Sequence, residues 1–444
     1  MSDYIYMLES RLSAGQNRVV KEVENAAAQA GSNVFLAGGA MRDMLGGSPI
    51  RDLDFSVEGQ ALKLAKTVAE RAEGRVISAD EHRRTAELLF PGGVTVQIAM
   101  SRTERYTKTG ARPQVTPATI QEDLRGRDFS INAIALSLNR ASRGLLLDPT
   151  NGLADLERHE IRSLSTYTFF DDPSRLLRLV RFRVRLGFTV EERTAQQMRN
   201  AREAGVLESV TAGAFLEELR HVATENCCAG IMKALDEEGL LDALAPRIAG
   251  TRLNAAGLTR LERAVHLLPD DGGSHLERVG PFFTVLLEKL PSRERQAFAK
   301  EMGLRKTEVE GWQKLDARAR KLETVMKSPR LKKPSQVYFA AVGAPPGEVL
   351  LLLTRSAVRM VQDRMRHYFE KYLPLAREIG PEQLAALEGK PGTPKWEKAR
   401  EALIAEHLDR RPKKPVIEPP LPPPPLVIPG RGRPRSQALL AHPR

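Results

Sequence analysis

The sequence predicts an α/β domain followed by a long all-α region, and three observations point to it. Between residue 33 and about residue 140, short β-like runs alternate with helix-like segments. From 171 to about 408 the apolar periodicity is almost wholly helical, and beyond Asp409 the chain turns Pro-rich and basic. Alternation of this kind builds a sheet covered by helices, whereas an unbroken 3.6-residue period builds helix-on-helix packing. With 444 residues, both parts have room for substantial cores.

The elements follow in order. A helix covers the first thirty residues, richest in Ala, Glu and Val from Arg18 to Ala30. Val34–Ala37 reads as a buried strand, Ala40–Leu45 as the start of a helix, and Gly46-Gly47-Ser48-Pro49 as a turn into a strand over Ile50–Val57. Helix Gln60–Ala72 and strands Val76–Ser78, Leu88–Phe90, Val94–Met100 and Ala133–Leu138 complete the alternating part. Pro173 suits a helix start, capped by Asp171 or Asp172. Later helices break near Gly230, Pro269–Gly273, Pro329–Pro334 and Pro345-Pro346-Gly347. The segment from 410 to 444, with Pro419-Pro420-Leu421-Pro422-Pro423-Pro424-Pro425, buries too little apolar surface to fold and reads as disordered.

Composition is that of a soluble globular protein, with 41% hydrophobic and 28% charged residues. Lys plus Arg exceed Asp plus Glu by 68 to 56, a charge of +12 that suits a polyanionic partner as well as a merely basic protein. Cys227 and Cys228 are adjacent, so they form neither a disulfide framework nor a zinc spacing. They read as core packing in a reducing cytoplasm. The N-terminus has no signal-peptide pattern, and no apolar run approaches the roughly 20 residues of a membrane span. Val349–Leu353 is therefore expected in a core helix, with no membrane partner.

Three blocks carry chemistry. In Leu36-Ala37-Gly38-Gly39-Ala40-Met41-Arg42-Asp43 the glycine pair sits between strand and helix, where free N–H groups favour an anion. Asp52 and Asp54 follow at strand spacing, so both point to one face and can hold the same divalent ions. In the second block, Arg127-Asp128-Phe129-Ser130-Ile131-Asn132, an arginine beside an acid with an amide beyond is either a helix or strand start with a local ion pair or a contact to phosphate and ribose together. In the third, Arg175, Arg178 and Arg181 recur every three residues after Asp171-Asp172-Pro173. They form a slowly drifting stripe on one helix, a solvated face or a basic wall over a phosphate site.

These blocks resemble the class II tRNA nucleotidyltransferases, the CCA-adding enzymes, within the poly(A) polymerase head superfamily. The matches are Gly-Gly-x-x-Arg-Asp at 38–43, Asp-x-Asp at 52–54 and Arg-Asp-Phe-Ser-x-Asn-Ala at 127–133. Further on come Asp-Pro-x-x-Gly-x-x-Asp-Leu at 148–156 and Asp-Asp-Pro-x-Arg-x-x-Arg-x-x-Arg at 171–181. The resemblance implies an α/β nucleotidyltransferase head with a mixed sheet over residues 1–140. A connector and helical neck (141–230), a helical body (231–375) and a helical tail (376–409) follow. It also implies transfer of CMP and AMP from CTP and ATP to the tRNA 3′ end, releasing pyrophosphate.

In such enzymes Gly38, Gly39 and Arg42 meet the triphosphate, and Asp52 and Asp54 hold two Mg²⁺ ions. Arg127 binds nucleotide, with Asp128 and Asn132 near the ribose. Asp172 and Arg175 read the base, and Arg178 and Arg181 hold phosphate or base. A carboxylate and a guanidinium complement the Watson–Crick edges of cytosine and adenine, whereas uracil and guanine invert the donor–acceptor order.

Some positions depart from the family pattern. Gln97 stands where a third carboxylate is usual, Gly126 replaces the first arginine of Arg-Arg-Asp, Asp171 replaces a glutamate, and Ala214 replaces an arginine ahead of Glu218-Leu219. The segment Arg102–Val115 resembles the flexible loop that A-addition requires. The Arg-Arg-Phe-type signature of bacterial poly(A) polymerases is not evident, and no histidine is followed by aspartate, as an appended HD domain would need. Arg431-Gly432-Arg433-Pro434-Arg435 resembles an AT-hook core but reads as a solvated basic tail. Two alternatives stand beside CCA addition: an A-adding enzyme or poly(A) polymerase, and a catalytically weakened RNA-binding relative.

Overall fold

The structure, a computed structural model, describes residues 3–268 and 276–410. The expected break at Pro269–Gly273 and the Pro-rich tail beyond Arg410, with its Arg431–Arg435 motif, lie outside the described residues.

The N-terminal helix is two helices, α1 (Asp3–Arg11) and α2 (Ala14–Gln29). Ser13 separates them because its hydroxyl accepts from the Gln16 N–H while Gln16 bonds back to the Ser13 N–H. That reciprocal capping box favours a fresh helix start over continuation. The Gln16 amide also donates 2.9 Å to the Ile50 carbonyl, pinning the approach to the next strand.

A seven-stranded mixed sheet follows. Its strands are β1 (Asn33–Ala37), β2 (Asp52–Glu58), β3 (Arg75–Asp80), β4 (Thr85–Phe90), β5 (Val94–Met100), β8 (Ala135–Ser137) and β9 (Leu146–Leu147), in the order β3-β4-β5-β2-β1-β8-β9. Only β2 and β5 run parallel; the other neighbours are antiparallel. Helices α3 (Gly39–Leu45) and α4 (Ala61–Arg71) connect the early strands. The alternating burial of β5, with Val94, Val96, Ile98 and Met100 inward, leaves Thr95 and Gln97 on the other face of the sheet.

The Arg102–Val115 segment, read from sequence as a flexible loop, contains a hairpin of β6 (Arg102–Arg105) and β7 (Gln114–Pro117), paired from Arg102↔Pro117 to Arg105↔Gln114. A Thr119–Glu122 capping box then starts α5 (Ile120–Arg125). Asp148 caps α6 (Gly152–Glu157) by accepting from the Gly152 and Leu153 N–H groups at 2.7 and 2.9 Å. A Cβ on Gly152 would lie 2.1 Å from the Ser130 carbonyl oxygen, so only glycine fits there.

The third sequence block is arranged differently from the expectation. A short helix α7 (Thr168–Asp171) ends at Asp171, Asp172 is extended, and α8 (Arg175–Leu186) begins two residues after Pro173. Asp172 Oδ1 accepts from the Ser174 N–H (3.1 Å) and hydroxyl (2.6 Å), so it caps the turn rather than the first helical residue.

After α9 (Glu192–Glu203), α10 (Ala212–Thr224) and α11 (Cys228–Glu237), the described chain is helical to Asp409. The expected break at Gly230 falls inside α11; the chain breaks at Glu225, whose backbone turns extended. Helices do start at Pro334 and Pro346 as the prolines require. Val349–Leu353 is buried in a core helix, and Cys228 is buried beneath its neighbours. Among the described residues no single helix is long and apolar enough to cross a membrane.

Two large apolar cores meet along α8. Leu176, Leu179 and Phe182 pack with the sheet and its helices, whereas Leu177 and Val180 pack with the later helices. The i, i+3 spacing divides these residues between two faces of one helix, so α8 is the shared wall of both units.

Candidate active site

The strand–helix junction at Gly38 and the start of β2 come together. Gly38 has φ +65°, a left-handed conformation that disfavours other residues, and its missing Cβ would lie 2.9 Å from Arg127 Nη1. At Gly39 the missing Cβ would lie 3.0 Å from Asp54 Oδ2, and the Gly39 N–H donates to that same oxygen at 3.1 Å. Small residues are needed here because a carboxylate and a guanidinium share the space.

Asp52 and Asp54 pair in register with Thr95 and Gln97 of β5. Asp52 is exposed and its carboxylate accepts the Thr95 hydroxyl; Asp54 is half-buried. Burial, and then the neighbouring Asp52 charge, push Asp54 up to about 6, against the pull of Arg127 and Arg42. Gln97, directly opposite Asp54, adds no charge. Among the described residues no group of three or more His, Cys, Asp or Glu side chains forms a ready metal cage. The pair nevertheless fits a hard divalent cation, which takes oxygen donors, commonly one or two carboxylates plus substrate phosphates. A bound cation would oppose both causes of that shift, the burial of Asp54 and then the repulsion from Asp52.

That shift has a measurable consequence. A carboxyl whose folded value lies near 6, above its unfolded value near 4, costs stability only once it is ionised. The cost is absent below about pH 4, grows between about 4 and 6, and is complete above. Asp54→Asn should therefore raise metal-free stability by about 1–2 kcal/mol near neutral pH, from roughly 1.4 kcal/mol per pKa unit discounted for partial exposure. The advantage should vanish on acidification towards pH 4. Thermal melts of both proteins in chelator across that range measure it, and a variant less stable at neutral pH contradicts the assignment.

Arg127 lies at the rim, donating to the Asp123 carboxylate (2.9 Å) and the Asn132 carbonyl (3.1 Å), with a quarter of its side chain exposed. Asp128 is buried. Its carboxylate accepts from the Asn132 amide (3.0 Å) and Arg178 (2.9 Å). Burial works against that charge, but Arg178, Arg175 and the Asn132 bond outweigh it and hold Asp128 at about 2. Asp172 Oδ2 and Arg175 Nε stand 3.9 Å apart, and the Arg175 guanidinium lies 6.0 Å over the Tyr106 ring from the hairpin. Tyr106 is held in turn by Glu104 at 2.8 Å.

Two arginines of the motifs are placed inside. Arg42 is 4% exposed, bonded to Asp43 (2.9 Å) and Asn132 (2.8 Å) and packed 4.9 Å from the Phe182 ring centre. Arg181 is 6% exposed and donates to Glu218 (2.5 Å) and Glu225 (3.3 Å). Arg178 also approaches Glu218 at 4.0 Å, and Arg185 joins Asp43 (2.7 Å) to Glu225 (3.4 Å). The result is a closed ring of alternating charge: Arg42, Asp43, Arg185, Glu225, Arg181, Glu218, Arg178, Asp128, and Asn132 back to Arg42. Asp43, Arg185 and Glu225 were not singled out as site residues from sequence. Arg185 lies 142 residues from Asp43, and Glu225 lies 44 from Arg181, so no local pattern announces those two contacts.

A mixed sheet bearing a carboxylate pair beside a glycine turn is the architecture of a nucleotidyltransferase head. Residues 34–162 match the family described as the Poly A polymerase head domain. Over 396 residues, 85% of this chain and 43% of the relative, the sequence is 28% identical to an A-adding tRNA nucleotidyltransferase of Geobacter sulfurreducens. It is 36% identical to a multifunctional CCA protein of Thioalkalivibrio sulfidiphilus over 221 residues, 48% of this chain and 51% of that protein. The chain thus spans about half the length of the curated relatives it matches. The Thermotoga maritima CCA-adding enzyme complexed with tRNA superposes with a TM-score of 0.50 at 25% identity, covering 93% of this chain and 96% of that one.

Proposed function

We propose that this chain is a tRNA nucleotidyltransferase that transfers CMP and AMP from CTP and ATP to the tRNA 3′ end. The observation that carries this reading is the meeting of Asp54, two residues along the strand from Asp52, with the Gly38–Gly39 turn and Arg127. In the reaction, the 3′-hydroxyl oxygen bonds to the α-phosphorus, the α–β phosphoanhydride bond breaks, and pyrophosphate leaves. Asp52 and Asp54 are the residues that would hold Mg²⁺, whose charge supplies neutralisation of the triphosphate and acidifies the attacking hydroxyl. Arg127 faces the phosphates and is oriented by Asp123. Asp172 and Arg175 present the acceptor and donor that match cytosine and adenine. Arg42 and Arg181 act from beneath, Arg42 by orienting Asn132 and Arg181 by holding α8.

Relatives named as A-adding enzymes give a second reading, in which only AMP is added. One assay separates the two. Purified chain with Mg²⁺, tRNAs ending before C, CC and A, and each labelled nucleotide should show both C and A incorporated. Incorporation of A alone, on CC-ending tRNA, selects the second reading; tRNA binding without incorporation removes both.

A further inference from the structure

Within this reading of the function, we propose that Glu225 is a positioning residue that locks the carboxylate-bearing strand to the base-reading helix. Glu225 is 3% exposed and sits where α10 ends and the backbone turns extended. Three guanidinium groups converge on its one carboxylate: Arg51 at 3.1 Å, Arg181 at 3.3 Å and Arg185 at 3.4 Å. Arg51 immediately precedes Asp52 at the start of β2, whereas Arg181 and Arg185 lie on α8 with Arg175 and Arg178. A single buried charge therefore spans the two elements whose relative position sets the distance from metal pair to base reader. The preceding carbonyl, of Thr224, takes Arg51 as well as Arg278 from the later helices, each at 3.3 Å. Arg278 also donates to Asn226 at 2.6 Å, so sheet, α8 and helical body all close on one three-residue turn.

The physical consequence is direct. Without the carboxylate, Arg51, Arg181 and Arg185 face one another with less compensation, and like charges in a buried cage move apart. Arg181 and Arg185 keep Glu218 and Asp43, so α8 stays folded. Arg51, whose other side-chain bond is to the Thr224 carbonyl, is the group released. A shift of about 1 Å between β2 and α8 misaligns hydroxyl, phosphorus and base, which costs on the order of 10²-fold in turnover.

The test uses the full chain, tRNA lacking its 3′-terminal residues, and CTP, ATP and UTP. Arg51→Gln and Glu225→Gln should each lower kcat for C and A addition by about 10²-fold, raise UTP use relative to CTP, and leave tRNA affinity unchanged. The double variant should be no worse than either single one, because both remove the same link. Arg51→Lys should recover most of the turnover, since both of its bonds come from one nitrogen that an ammonium can replace. If Glu225→Gln fails to fold, the Arg51 pair alone decides. Near-normal turnover and selectivity in folded Arg51→Gln, additive losses, or no recovery by lysine would each overturn the proposal. A wild-type chain that incorporates no nucleotide would instead remove the reading of function on which it rests.

Discussion

Asp52→Ala should reduce nucleotidyl transfer by about 10³-fold or more, with tRNA affinity close to that of the wild type. Asp52 is the exposed member of the pair, held by the Thr95 hydroxyl. Asp54 is the half-buried member beside Gly39. Removing one carboxylate halves the charge offered to the divalent cations. Such ions contribute several kcal/mol of charge stabilisation in the transition state, and each 1.4 kcal/mol is about tenfold in rate. Gln97 stands opposite Asp54 and cannot make up the deficit. Single-turnover incorporation with saturating tRNA, beside a filter-binding measurement, distinguishes lost chemistry from lost binding. Residual activity above about a tenth of wild type would remove Asp52 from the metal assignment.

The second large effect concerns selection of the base. Asp172 has one oxygen committed to Ser174 and the other directed toward Arg175, 3.9 Å away. The pair thus presents an acceptor and a donor side by side. A site built to bond a given edge leaves its own buried groups unpaired when the edge is wrong, and this is where large discrimination arises. Arg175→Ala should lower the CTP-over-UTP ratio of kcat/KM by about 10²-fold or more, mainly by loss of the CTP value. Asp172→Ala should act in the same direction and also loosen the turn into α8, because Ser174 loses its acceptor. Competition between labelled CTP and UTP reads the ratio; an unchanged ratio with a uniformly lower rate would assign these residues to the fold alone.

Much of the head was legible in the sequence because its signals are local. A glycine pair between a strand and a helix, two aspartates at period two, and alternating apolar residues in β5 each need only a few neighbours to be read. The hairpin at 102–117 was not, since Arg, Thr, Lys and Gly carry no apolar alternation and its pairing is purely cross-strand. The helix boundary at Ser13 was missed although its capping pair lies in plain view, because helix-forming residues flank it on both sides. The break at Glu225 was placed at Gly230 instead; what ends α10 is an ion cluster assembled from distant arginines.

The arginine stripe on α8 shows where local reading ends. Residues three apart on a helix advance 300°, so each arginine is turned about 60° from the last and Arg181 about 120° from Arg175. Periodicity alone can place all three on one broad face, but it cannot say which part of that face is covered. Glu218 and Glu225, 37 and 44 residues further along, cover Arg181 and leave Arg175 and Arg178 near Asp172 and Asp128.

The sequence by itself marked the alternation of strands and helices in the head, the carboxylate pair, the glycine turn and the acid and arginine at 172 and 175, because each is a local pattern. Only the tertiary structure decided which charged residues reach the cleft and which close the ring beneath it. That choice depends on ion pairs between residues far apart in the chain, whose strength comes from burial that no local pattern records.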